Sequence, residues 1–201
     1  MTTLVEQVRR ALERGHDQEP ILLTGDNADE ILDAREVYVP AAVLIAITDR
    51  PDPGVILTQR PKTMRHHAGQ IAFPGGRVDP EDVDLVHTAL REAEEEIAMP
   101  RDAVTVIGTI DQYRTITGYH VTPVVGVVQP DLPLRANAAE VSDWFEVPLS
   151  FLLEPGNHIE QAVEWQGRER HYYEITYEGR RIWGATAAMI VNLGRRIIWA
   201  A

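Results

Sequence analysis

The sequence predicts an α/β (α+β) fold, a mixed central β-sheet between helical layers, and three features of its 201 residues carry that expectation. Stretches rich in β-branched residues, such as "AVTVIGTIDQYRT" and "GYHVTPVVGVVQP", read as strands. Other stretches place apolar residues three and four apart, the period of a helix with one buried face. The two kinds interleave along the chain, with glycine and proline clusters between them.

In chain order, residues 3–14 set Leu4, Val8 and Leu12 at four-residue spacing behind a Thr cap, which predicts an amphipathic N-terminal helix as an arm on the domain. A strand around 41–48, a turn at "DRPDPG" and a second strand at "VILTQR" predict a hairpin. Residues 61–84 are rich in glycine and proline and read as loop, with a short strand near Gln70 to Phe73. From Asp82 to about Met99, Val86, Leu90, Ala93 and Ile97 recur at helical spacing, and Pro100 marks the stop. The two β-branched stretches follow, then a short helix near Pro148, two strand candidates at "HIEQAVEWQG" and "RHYYEITYEG", and a C-terminal helix in "ATAAMIVNLGRRIIWA".

Composition bounds the function. Apolar residues are 44% and charged residues 25%, ordinary for a folded soluble protein, and the length suits a single domain over 1–201. The net charge of −12 argues against a nucleic-acid partner, because a polyphosphate backbone needs a broad positive footprint. A small anionic substrate is still compatible with local arginines or metal ions. The first twenty residues carry charges throughout, so neither a secretory signal nor a membrane span is expected there. With no cysteine, disulfides, thiolate zinc sites and a catalytic cysteine are excluded, and a cytoplasmic protein is the expectation.

The stretch "LREAEEEI" is the strongest chemical signal. On a helix, Glu92, Glu95 and Glu96 stand at i, i+3 and i+4, so three carboxylates share one face and repel one another. Mg²⁺ or Mn²⁺ takes oxygen ligands, often one or two carboxylates completed by water and substrate phosphate, and would make such a face tolerable. The turn "PGG" at 74–76 lets backbone oxygen approach an ion, which adds Gly76 to the expected ligands, and Arg91 can orient Glu95 four residues on. The alternative is a solvated acidic face beside an ordinary turn.

The run from Gly76 to Met99 resembles the box of the Nudix hydrolase family, G-x5-E-x7-R-E-U-x-E-E-x-G-U, where U is a bulky apolar residue; Arg91, Glu92, Ala93, Glu95 and Glu96 match its R-E-U-x-E-E half. Asp82 stands six residues after Gly76 where the pattern has Glu, the gap to Arg91 is one residue longer, and Ala98 replaces the closing glycine. These departures touch the loop and helix ends and leave the partner of Arg91 open. Upstream, Leu57 to Gly76 resembles the extended motif of the coenzyme A branch of that family, with Leu57, Thr58, Arg60, Arg65, Gly69 and Phe73 to Gly76 in register; "GYHVTPVVG" and "IWGATA" are also similar to segments of that branch.

The resemblance implies a Nudix-like α/β/α sandwich, with a box over about 76–99. It implies metal-dependent hydrolysis of the pyrophosphate of coenzyme A or its derivatives, giving 3′,5′-ADP and 4′-phosphopantetheine or its acyl form. In that reading Arg91, Glu92, Glu95 and Glu96 are catalytic, Gly76, Glu92, Glu95 and Glu96 hold Mg²⁺ or Mn²⁺, and Arg60 and Arg65 clamp phosphate. Phe73 and Tyr119 would meet the substrate, with core packing as the alternative. Glu140 is the expected extra carboxylate or general base, with Glu146 its competitor. His66 and His67 are adjacent on an extended stretch and point apart, which argues against a joint role. Rival readings are hydrolysis of another nucleoside diphosphate derivative (ADP-ribose, a dinucleotide, a nucleoside triphosphate) and a sensing module without turnover. The expected partner is a small molecule, with no membrane and a possible homodimer.

Overall fold

The computed structural model describes residues 2–23, 38–63, 67–165 and 167–198. It contains α1 (Leu4–Arg14), β1 (Val39–Thr48), β2 (Gly54–Gln59), β3 (Ile71–Ala72), β4 (Gly75–Arg77), α2 (Leu85–Ile97), β5 (Val104–Thr109), β6 (Tyr113–Arg114) and β7 (Tyr119–Val128). The chain continues through β8 (Asp143–Pro148), α3 (Leu149–Leu153), β9 (Ile159–Trp165), β10 (Arg168–Tyr177), β11 (Arg180–Trp183) and α4 (Ala185–Arg196).

An eight-stranded mixed sheet forms the centre, in the order β3-β2-β1-β7-β5, with β4 beside β1, β6 beside β7 and β8 beside β2. The fold is therefore the mixed α/β arrangement expected from the sequence. β1 and β7 run parallel over their full length, Val39 opposite Tyr119 through Thr48 opposite Val128, and the remaining pairs are antiparallel. A separate antiparallel sheet, β11-β10-β9, follows.

β1 explains how the core is divided. Alternate residues of a strand face opposite sides, and here both sides are covered. Ala42, Leu44 and Ala46 join Ala89, Ala93 and Ile97 of α2, whereas Ile45 and Ile47 join Leu57, Val125, Leu193 and the buried residues of α1. Alanines on both α2 and β1 bring the helix backbone close to the sheet. Ala93, smaller than the residue usual in its motif, is thus the size this contact accepts.

The N-terminal helix packs on the domain, with Leu4, Val8 and Ala11 buried in the same cluster as α4. Its apolar stripe has no other way to leave water, and Thr3 and Glu6 cap its first turn reciprocally. The expected hairpin is present, but Ala41, Ala42 and Val43 of β1 are bordered by β4, which glycines concealed in the sequence. β8 and β11 were also not expected. Among the described residues no helix is long and apolar enough to cross a membrane.

Candidate active site

α2 starts at Asp84, whose side chain accepts from the backbone N–H of His87, and ends at Ala98 in the left-handed conformation, φ 54°. That is the conformation the closing glycine of the motif would adopt without strain, so the replacement keeps the shape of the helix end.

The partner of Arg91, left open by the lengthened loop, is Asp82. Arg91 Nε and Nη2 each donate to one Asp82 oxygen at 2.9 Å. Asp82 also accepts from Thr88 Oγ1 at 2.8 Å and from the Asp79 backbone N–H at 2.9 Å, and pairs with His87 Nδ1 at 2.7 Å. Its side chain is fully buried. The guanidinium, more than any other neighbour, holds the Asp82 carboxyl far below the usual carboxylate range and raises Arg91 in turn. Arg91 Nη1 then donates to Glu92 and to Glu95, each at 2.9 Å, and Nη2 to the Arg77 carbonyl at 3.0 Å. The extra loop residue and the shorter acid together still deliver a bidentate carboxylate to this arginine.

On the inner side of that arginine lies a second group of carboxylates. One ligand oxygen from each of Glu92, Glu96 and Glu140 falls within 4.8 Å of the others. Glu96 is 5% exposed and its Oε2 has no hydrogen-bond partner. Burial first, and then the charge of Glu92, pushes the Glu96 carboxyl up to about 8, against the backbone N–H of Gly75 and the charge of Arg60. Burial also raises Glu92, against Arg91. Glu140, on the turn before β8, accepts from Asn137 Nδ2 at 3.3 Å, and Asn137 N donates to the Glu96 carbonyl, which fixes this turn against the end of α2.

The glycines make room for this arrangement. A Cβ on Gly76 would lie 2.5 Å from the carboxyl carbon of Glu92, and one on Gly75 would lie 2.4 Å from the carbonyl oxygen of Ala42. Three hard oxygen donors, one an orphaned buried oxygen, beside a backbone without a side chain fit a divalent cation. Such an ion would offset the repulsion that raises Glu96.

Of the residues singled out from the sequence, Glu92, Glu96, Glu140 and Gly76 are brought together. Glu95 shares the helix face but is half-exposed and tied to Arg91. Arg60 lies near enough to Glu96 to act on its charge, and its Nε is buried without a partner. Arg65 falls outside the described residues. Phe73, expected at the substrate, is instead 2% exposed and packs in the core with Ile71, because its face of the chain turns toward α4. Tyr119 begins β7, partly buried against the same core. Glu146, the competitor of Glu140, is bound to Arg50 and Thr48 at the far end of β2 and takes no part. Asp82 was not recognised as the partner of Arg91, nor His87 as a partner of Asp82; the Asp82-x4-His87 spacing across the helix start was the available signal.

Comparison with known proteins agrees with this geometry. The NUDIX domain matches residues 38–177. The chain is 48% identical over 157 residues to a protein of Escherichia coli O1:K1 / APEC named "Uncharacterized Nudix hydrolase NudL", covering 78% of this chain and 82% of that one. A Shigella boydii serotype 18 protein of the same name matches equally. Among solved structures, it is similar to an Ap4A hydrolase of C. elegans in a binary complex, with 18% identity, a TM-score of 0.48, and coverage of 55% of this chain and 80% of that one. The matched domain over residues 38–177 and relatives that carry the hydrolase name make the protein a phosphoanhydride hydrolase. The chain belongs to the Nudix family and is a pyrophosphohydrolase acting on a nucleoside diphosphate derivative.

Proposed function

We propose that the substrate is coenzyme A or one of its derivatives, cleaved at the pyrophosphate to 3′,5′-ADP and 4′-phosphopantetheine or its acyl form. The observation that carries this reading is the run from Leu57 to Gly76: its Arg60 acts on the charge of Glu96 of the box, and its closing Gly76 makes room for Glu92. Glu92 and Glu96, with Glu95 on the same helix face and the backbone at Gly76, would hold Mg²⁺ or Mn²⁺. Bound there, a divalent cation neutralises the diphosphate and acidifies a coordinated water.

The residues of the chain do the rest. Arg91 fixes Glu92 and Glu95 and is itself fixed by Asp82. Arg60, whose buried Nε is unpartnered, donates to a phosphate oxygen, with Arg65 as a second clamp. Glu140 takes a proton from the attacking water. The new phosphorus–oxygen bond forms as the bridging bond breaks, and its electron pair leaves on the departing phosphate. The protein is read as a cytoplasmic enzyme.

The test is chromatography of products after incubation with coenzyme A and Mg²⁺ or Mn²⁺, beside ADP-ribose, NADH and nucleoside triphosphates. The expected outcome is metal-dependent release of 3′,5′-ADP, faster than any product of the panel. Survival of coenzyme A while a panel member is cleaved would refute the substrate and keep the chemistry.

A further inference from the structure

β2 ends between two sites. Arg60 acts on the charge of Glu96, while the preceding residue, Gln59, lines a cavity of about 590 Å³ on the other side of the chain, as alternation along an extended strand requires. The cavity lies in the size range of small-molecule sites. Its far wall is the β10–β11 turn and strand, with Gly179, Arg180, Arg181 and Trp183, and Gln70 completes the near side. Among the described residues no aspartate or glutamate lines it, in a chain with 31 of them.

The two arginines are held by carboxylates that stand outside the lining. Asp143 accepts from Arg180 Nη2 at 2.9 Å, and the guanidinium lies 4.0 Å from the centre of the Phe145 ring. Glu174 accepts from Arg181 Nε at 2.6 Å and Tyr172 Oη from its Nη2 at 3.0 Å, while the guanidinium lies 5.0 Å from the Trp183 ring centre. Their geometry is thus set before any ligand arrives, and Trp183 remains 36% exposed. Guanidinium forks complement a phosphate, and an indole complements a purine face. A flexible, uncharged pantetheine arm offers neither a phosphate nor a flat ring.

From this we infer that the cavity between the end of β2 and the β10–β11 turn binds the 3′-phosphoadenosine end of the substrate, with Arg181 on the 3′-phosphate and Trp183 on the base. The inference rests on the coenzyme A reading above and extends it. Residues 179–183 lie beyond the matched NUDIX domain, so the group that distinguishes the substrate is read by a strand outside the shared fold.

Two measurements test it, on wild type, Arg181→Ala and Arg181→Lys. The Arg181 side chain is half-exposed, so these substitutions leave the core alone. In the first, kcat/KM is compared for coenzyme A and dephospho-coenzyme A. The expected preference of the wild type for coenzyme A falls roughly tenfold in Arg181→Ala, chiefly through KM, and less in Arg181→Lys. A preference unchanged in Arg181→Ala overturns the subsite, although coenzyme A is still cleaved. In the second, calorimetric affinity for 3′,5′-ADP is compared with that for 5′-AMP. Should the wild type leave coenzyme A intact, the substrate reading fails, and this second measurement alone decides the cavity: discrimination lost in Arg181→Ala supports an anion subsite, and discrimination equal to that of wild type, or absent from both, removes it.

Discussion

Asp82 and Glu96 are both buried carboxyls beside one helix, yet their surroundings push them in opposite directions. Asp82 has four hydrogen-bonding partners including a bidentate arginine, and stays ionised far into acid. Glu96 has an unpartnered oxygen and another carboxylate next to it, and its proton is held to about pH 8. The first arrangement is complete in the protein alone. In the second, the charge of Arg60 does not offset burial and the neighbouring carboxylates, and a divalent cation would fill that deficit.

The sharpest way to break this contrast is Glu96→Gln, which keeps size and removes charge. Turnover is expected to fall by about a thousandfold or more, while the metal-free protein becomes no less stable, because a neutral amide avoids the cost of keeping a buried carboxyl protonated at neutral pH. Steady-state kinetics beside thermal unfolding checks both halves, and near-normal activity in the folded variant would sink the site. Asp82→Ala should do the reverse in kind: it leaves Arg91 buried with part of its pairing gone, at about 3 kcal/mol of stability, read from urea unfolding. No measurable loss would mean that the arginine is held by Glu92 and Glu95 alone.

The smallest effect is the pH dependence of metal-free stability. The folded Glu96 carboxyl is raised above its unfolded value, so its contribution is fully present below the unfolded value and is lost as pH rises through about 8. Between pH 5 and 7 the metal-free protein should lose about 2.5 kcal/mol, and Glu96→Gln should flatten that slope. A slope identical in both proteins would assign it elsewhere.

Much of this was legible because local pattern and tertiary context agree. The apolar period of α2, the long apolar run of β1 and the Thr3 cap each follow from the residues that form them. What escaped notice depends on pairing across distance. β4 is a strand because β1 borders it, although Gly75 and Gly76 disfavour one, and β8 carries Asp143, Glu146 and Pro148 yet pairs along all of β2. Glu140 reaches Glu92 and Glu96 only through the turn anchored at Asn137, and Asp82 reaches Arg91 only because the longer loop folds back, contacts that no spacing rule encodes. Phe73 misled for the opposite reason: a residue inside a substrate motif serves the core.

The parallel pairing of β1 with β7 bears on how the enzyme matures. Every strand and helix that carries the box lies in the chain between these two strands, so the central pair closes a long loop that contains the box, while Glu140 follows it. Loop closure must precede the gain from those ten residue pairs, which slows folding. During synthesis the carboxylates cannot assume their final spacing until Val128 has emerged and β7 has docked. A nascent chain that ends before β7 would therefore carry the whole motif and still lack the scaffold that holds it together.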